Sequence, residues 1–275
     1  MKVVLIPGWH EAADRLHVLA DGRRGHAGLN ARGFDCALFS KGEGSLRERI
    51  DQLAIYLTDL KVREPKAFPI ATFGYSAGGL INRGFLRAYP ERAGEIAATF
   101  QLGAPNWGLV TDNFALMLNA LHVSQSVITD LDIQSPFMAW LNDAPGHWEP
   151  IPGSKNKSWH LDRAPWIAPE GARILNVLGR IPRHKMEGDG LVDVRSGTLD
   201  GALPHTFLDD KHANHLNLSG MWNILMFLSR RWMVDDHDWP IVVERAATFF
   251  KAPVSSRAWG CATLGMTRYI RNNRP

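Results

Sequence analysis

Apolar residues in the first 105 positions alternate between short continuous runs and helical stripes. Val3-Val4-Leu5-Ile6, closed by Pro7-Gly8-Trp9-His10, predicts a buried strand over 2–6 and a loop after it. A helix is predicted within 15–29, with Gly22, Gly25 and Gly28 breaking its later half. A strand is predicted over 34–39. Leu46, Ile50, Leu53, Leu57 and Leu60 recur at helical spacing, and Ser45 with Glu48 forms a capping box, so a helix is predicted over 45–62. Strand 69–73, a helix to about 88 and strand 96–102 follow.

This rhythm predicts an α/β fold: a mostly parallel central sheet with helices on both faces. Right-handed crossovers put the loops after the strands on one edge, where sites form in open α/β sheets. Residues 106–170 break the rhythm and read as an insertion, a lid or cap between core segments 1–105 and 171–275. Phe114, Met117, Leu118 and Leu121 form one helical stripe there, and Phe137, Trp140 and Leu141 a shorter one. The insertion then turns rich in Pro and Trp. Either it is a small helical cap burying its own apolar face, or that face also lines an acyl pocket. The sheet resumes over 172–178, with a short strand over 204–208. A helix is predicted over 216–232; 241–250 reads as strand or helix, and 262–270 as a strand.

Composition narrows the class. The chain has 275 residues, 45% hydrophobic and 21% charged, with a formal net charge of +3. No block of like charges suggests a nucleic-acid groove or a polybasic membrane patch. No apolar stretch is long enough to span a bilayer, and no signal peptide is visible, so a soluble cytoplasmic protein is expected. Cys36, in a predicted strand, reads as a buried free thiol, and with Cys261 it makes no disulfide framework.

The candidate chemistry centres on Gly74-Tyr75-Ser76-Ala77-Gly78. An apolar run leads in and a helical stripe leads out, the pattern of a nucleophile elbow that lifts one serine hydroxyl above the sheet edge. A side chain at 74 or 78 is expected to collide with the neighbouring strand or helix. Ser76 needs a base and a group to orient that base, and in this fold both follow it in the chain. His215, ending a polar loop after the 204–208 strand, is favoured as base, with His212 the alternative. His205 sits at a strand start, and His237 falls toward the opposite edge. Asp189, between two glycines after the 172–178 strand, is favoured as acid over Asp193, Asp209 and Asp112. Oxyanion donors are expected from the Ala77 N–H and from the loop after the first strand, at Trp9 or else His10.

These residues carry a resemblance. Val3-Val4-Leu5-Ile6-Pro7-Gly8-Trp9, Gly74-Tyr75-Ser76-Ala77-Gly78-Gly79, Leu102-Gly103-Ala104-Pro105-Asn106-Trp107-Gly108, Gly188-Asp189-Gly190-Leu191-Val192 and Asn214-His215-Leu216 resemble landmark motifs of the lipase branch of the α/β-hydrolase superfamily. They are scattered over residues 2–232. The resemblance implies that Asp189 supplies the triad acid and His215 the base. Many bacterial lipases carry His-Gly where this chain has Pro7-Gly8; Pro-Gly variants occur in related deacylases and thioesterases. Many also bind calcium through an Asp two residues after the catalytic His, a position held here by Asn217, so no metal or other cofactor is implied.

The expectation is a serine esterase or lipase acting on a small-molecule or lipid ester. A thioesterase, amidase or acyltransferase using the same triad, or a catalytically silent binding protein of this fold, are the alternatives. Oligomeric state and acyl length are not legible in the sequence.

Overall fold

The computed structural model describes residues 1–8, 16–23, 25–40, 44–110, 123–150, 152, 157–180, 192–209 and 238–253. Strand β1 (Lys2–Ile6) runs into the loop at Pro7. Of the helix expected over 15–29, only α1 (His17–Asp21) forms. Gly22 ends it at φ 87°, and the chain folds back as a hairpin of β2 (Gly22–Arg23) and β3 (His26–Ala27). A Cβ on Gly22 would lie 2.2 Å from the His26 carbonyl oxygen, so the glycines that break the helical stripe make this tight return instead. Strand β4 (Asp35–Leu38) follows, and Cys36 within it is free and half-buried. Burial pushes its thiol up to about 12, which leaves it unreactive at neutral pH.

Helix α2 (Leu46–Arg63) starts at Ser45, as its capping box predicts. Glu48 N–H donates to Ser45 Oγ at 3.2 Å, and Ser45 N–H donates to Glu48 Oε2 at 2.7 Å. Every residue of the predicted leucine and isoleucine stripe is buried. Strand β5 (Ile70–Tyr75), helix α3 (Ala77–Ala88) and strand β6 (Ile96–Leu102) complete the first half.

The second half brings helices α4 (Gln125–Leu131) and α5 (Pro136–Asn142), then strands β7 (Gly146–Pro150) and β8 (Lys157–Leu161). The segment rich in Pro and Trp is therefore an antiparallel hairpin and not part of an all-helical cap. Trp148 pairs with Trp159 across it, their rings 5.3 Å apart and edge-to-face. Strand β9 (Ile174–Arg180), the short helix α6 (Val194–Thr198), strand β10 (His205–Asp209) and helix α7 (Asp238–Lys251) end the described chain. The ambiguous 241–250 stretch is helical because Trp239, Val242, Val243, Ala246, Ala247 and Phe250 recur on one face and are all buried. The stripe at 114–121, the helix expected over 216–232, the strand expected over 262–270 and Cys261 lie outside the described residues.

Six strands form one sheet in the order β10-β9-β6-β5-β1-β4, every pairing parallel. Strand alternation places α3 and α7 on opposite faces. Gln101 of β6 donates to the Gly79 carbonyl of α3 at 2.9 Å, while the adjacent Phe100 packs on Phe249 and Phe250 of α7. No helix among the described residues is long and apolar enough to cross a membrane.

A buried cation ties α3 to the 106–170 segment. Arg83 is fully buried and donates to Asn106 Oδ1 at 3.1 Å, Asn142 Oδ1 at 3.1 Å, the Ile167 carbonyl at 3.2 Å and the Trp166 carbonyl. These partners are neutral, and burial pushes the guanidinium down to about 9, still protonated at neutral pH. Around it, Arg47 sits 3.8 Å above the Trp140 ring, and Arg87 lies between Trp140 and Trp166 at 5.6 and 5.3 Å. Asp130 of α4 accepts from the Leu46 N–H at 2.6 Å, at the N-terminus of α2.

Two outcomes follow for stability. Arg83→Met leaves several buried acceptors unpaired, and urea unfolding should show a loss of about 3–5 kcal/mol. On the hairpin, His147 bridges Asp162 at 2.6 Å and Glu149 at 2.9 Å, with His160 also 3.8 Å from Glu149. Those two hydrogen bonds hold the His147 imidazole above its ordinary 6.5. A raised folded-state pKa stabilises fully below 6.5, and the benefit is lost as pH rises through the raised value. NMR titration should find His147 above 6.5, and Asp162→Asn should move it down.

Candidate active site

Strand β5 ends at Tyr75 and α3 begins at Ala77, so the strand-to-helix reversal falls on Ser76 alone. Its backbone sits at φ 54° and ψ −126°, a conformation that costs a non-glycine residue about 1–3 kcal/mol. The strain is held from both sides. Ser76 N–H donates to the Leu102 carbonyl of β6 at 2.8 Å, and its own carbonyl accepts from Gly79 N–H at 3.0 Å.

Close backbone approach explains the flanking glycines. A Cβ on Gly78 would lie 2.0 Å from the Ile6 carbonyl oxygen at the end of β1, and one on Gly74 would lie 2.6 Å from the Gly78 carbonyl. The collision expected for both positions is thus present. Gly8 completes the packing: a Cβ there would be 2.9 Å from the Ser76 Cβ and 3.1 Å from the Ala77 nitrogen. The loop after β1 therefore lies directly against the elbow. As the first residue of α3, Ala77 carries an N–H with no intrahelical acceptor, at the positive end of the helix dipole.

Of the expected site residues, the structure brings together Ser76, Ala77 and the loop end at Gly8. Trp9, His10, Asp112, Asp189, His212, His215 and His237 lie outside the described residues. Two alternatives are described in full. His205 starts β10, at the edge of the parallel sheet opposite Ser76, where its Nδ1 bonds the Leu203 carbonyl at 2.8 Å and its ring packs on Phe207. Asp193 caps α6 by accepting from Arg195 N–H at 2.8 Å. Asp209 closes β10 at the carboxyl edge; its side chain is outside the described residues. Among the described residues no cluster of His, Cys, Asp and Glu is arranged to hold a metal ion.

One residue near the elbow was missed from sequence. Arg49 of α2 is buried and donates through Nη1 to the Gly8 carbonyl at 3.1 Å. Burial pushes its pKa down, and its Nε has no acceptor among the described residues. The available signal was a basic residue on the buried stripe, between Leu46 and Ile50.

No protein-family model matches the chain, and no curated protein sequence does. Among solved structures it is similar to a metagenomic carboxyl esterase, with 14% identity and TM-score 0.58 over 91% of this chain and 76% of that one. It is also similar to the mature form of the Bacillus licheniformis lipase BlEst2, with 14% identity and TM-score 0.55 over 82% of this chain and 89% of that one. A gene product of Listeria innocua matches at 14% identity and TM-score 0.55, over 92% and 94%. At these identities the likeness is one of fold, and that fold is the α/β-hydrolase fold.

Gly78→Ala should destabilise the protein by about 2–3 kcal/mol in chemical denaturation, because β1 and the elbow must move apart. Gly94, where a Cβ meets nothing within 4 Å, supplies the control: Gly94→Ala should be neutral or slightly stabilising.

Proposed function

We propose that the chain is a serine hydrolase of carboxylic esters. The observation that carries this reading is Ser76, strained at the turn between β5 and α3 with the loop after β1 packed against it. A serine at such a turn, followed at once by a helix-terminal N–H, is the pairing that acyl transfer requires.

In the proposed reaction His215 takes the Ser76 proton as Oγ attacks the ester carbonyl. Asp189 accepts from the imidazole and fixes its tautomer. The Ala77 and Trp9 N–H groups stabilise the tetrahedral oxyanion. His215 then protonates the leaving alcohol, and water, deprotonated by the same imidazole, releases the acid from the acyl-enzyme.

The departure points of the chain support these roles. The 181–191 stretch, with Asp189, leaves from Arg180 at the carboxyl end of β9. The stretch carrying His215 leaves from Asp209 at the carboxyl end of β10. Ser76 is at the same edge. With strands about 4.8 Å apart, β9 and β10 stand roughly 10 and 14 Å from β5, within reach of loops of these lengths. Arg49 supports the oxyanion role of the loop after β1. Its bond to the Gly8 carbonyl anchors the last described residue before Trp9. The 106–170 segment is proposed to overlie this edge and to set substrate choice.

Ser76→Ala should lower hydrolysis of p-nitrophenyl butyrate by at least about a thousandfold while leaving the circular dichroism spectrum unchanged. A fluorophosphonate should label the native protein at Ser76. Retained hydrolysis in the variant removes the mechanism, and labelling at another serine relocates it. Rates on matched ester, thioester and amide substrates should favour the ester.

A further inference from the structure

Gly74 of β5, Gln101 of β6 and Asn176 of β9 stand in one row across the sheet. The peptide joining Gly78 to Gly79 lies directly over Gly74, where a Cβ would come within 2.6 Å of it. Beside Gly74, Gln101 is fully buried and donates through Nε2 to the Gly79 carbonyl at 2.9 Å. Gly79 in turn donates its N–H to the Ser76 carbonyl at 3.0 Å. Burying an amide costs its hydration. What the chain gains here is a side-chain bond to the first turn of α3, next to the proposed nucleophile.

Arg83 sets the direction of these bonds. A guanidinium has donors and no acceptor. Its Nη1 donates to Asn106 Oδ1 at 3.1 Å, which turns the Asn106 Nδ2 the other way. Nδ2 faces acceptors: the Gly197 carbonyl at 2.9 Å, Gln101 Oε1 at 3.2 Å and the Ala104 carbonyl at 3.3 Å. With its oxygen taken by Asn106, Gln101 has its Nε2 for Gly79. Reversing that amide would set oxygen against the Gly79 oxygen and nitrogen against the Asn106 nitrogen.

The donors therefore run one way, from Arg83 through Asn106 and Gln101 to Gly79. Asn106 and Gln101 are both fully buried, so water does not compete for these bonds. Arg83 is itself held by Asn142 and by the carbonyls of Trp166 and Ile167, so the relay begins in the 106–170 segment. It ends three residues after Ser76.

We propose that Gln101 is a positioning residue for the proposed hydrolysis, its amide oriented by Asn106 and Arg83. By holding the Gly79 carbonyl it fixes the first turn of α3 against the sheet, and with that turn the Ala77 N–H beside the Ser76 hydroxyl. This role rests on the hydrolase reading. Gln101 acts through α3 and not on the reacting atoms. Oxyanion donors serve only when placed to within about 0.5 Å, and a shift of about 1 Å costs roughly a hundredfold in rate.

The test is hydrolysis of p-nitrophenyl butyrate by the full-length protein from about pH 5 to about pH 9, with circular dichroism to check folding. Gln101→Met keeps the length of the side chain and loses both bonds. Its kcat should fall about ten- to a hundredfold with KM within about twofold of native. Gln101→Glu keeps both bonds while protonated, because its O–H replaces the amide N–H as donor to Gly79. Burial favours that neutral form, against the pull of the Arg83 charge one amide away. Its kcat should therefore approach native at low pH, and the ratio to native should fall as the carboxyl ionises. Thr72 and Thr99 share a buried hydrogen bond at 3.1 Å between the same two strands, outside the relay, so Thr72→Val should keep kcat within about twofold. Should Gln101→Met fail to fold, the pH profile of Gln101→Glu decides. Native kcat in Gln101→Met, an equal loss in Thr72→Val, or a Gln101→Glu ratio that does not change with pH overturns the role. A native protein that neither hydrolyses the ester nor takes a fluorophosphonate at Ser76 removes the hydrolase reading and this role with it. With an active native protein, failure of the variants' predictions removes the role of Gln101 alone.

Discussion

Three stretches of backbone meet at one point in this protein, and the rest of the molecule is arranged to let them. The end of β1, the end of β5 and the first turn of α3 approach so closely that no Cβ fits at Gly78 or Gly74. The turn is completed by a single non-glycine residue in a left-handed conformation. Such a conformation survives only where its surroundings over-determine it. Here they do: β6 takes the Ser76 N–H, Gln101 holds the Gly79 carbonyl, and Arg49 pins the Gly8 carbonyl from α2. The proposed nucleophile is thus held by backbone and by two long polar side chains.

A second device fixes the 106–170 segment. Buried arginines usually face a carboxylate, which neutralises them. Arg83 instead gathers side-chain amides and main-chain carbonyls from residues 106, 142, 166 and 167. The acceptors come from three separate stretches, so the guanidinium acts as a hub that requires all of them at once. Stacked Arg and Trp rings extend the contact along α2 and α3. The described part of this segment is bound to the core through polar hydrogen bonds as well as through buried apolar side chains.

The sheet was legible because its strands are short apolar runs between turn residues, and α2 because its stripe and its cap agree. Strand β1 and strand β6 have the predicted bounds. The hairpin of β7 and β8 was not legible: the segment was read as part of a helical cap, Pro145, Pro150 and Pro152 disfavour a strand, and the cross-strand Trp pair shows no local period. Helix α7 was ambiguous because β-branched Val242-Val243 and adjacent Phe249-Phe250 suit a strand, and only the longer i, i+4 spacing decides. At the site, Ser76 and its glycines were readable because a tight turn constrains neighbours in sequence. Arg49 and Arg83 were not, because their partners are 41 residues away in one case and 23 to 84 in the other. Periodicity reports which side of a helix is buried, and says nothing of what a polar side chain finds there.

The N-terminus of α2 is served twice, by Ser45 and Glu48 beside it and by Asp130 from 84 residues downstream. On a ribosome adding about 5–20 residues each second, Asp130 emerges roughly 4 to 17 seconds after Leu46. Throughout that interval the helix start has only its neighbours to bond. The local pair therefore serves the nascent chain, and the distant carboxylate joins once the later segment has been made.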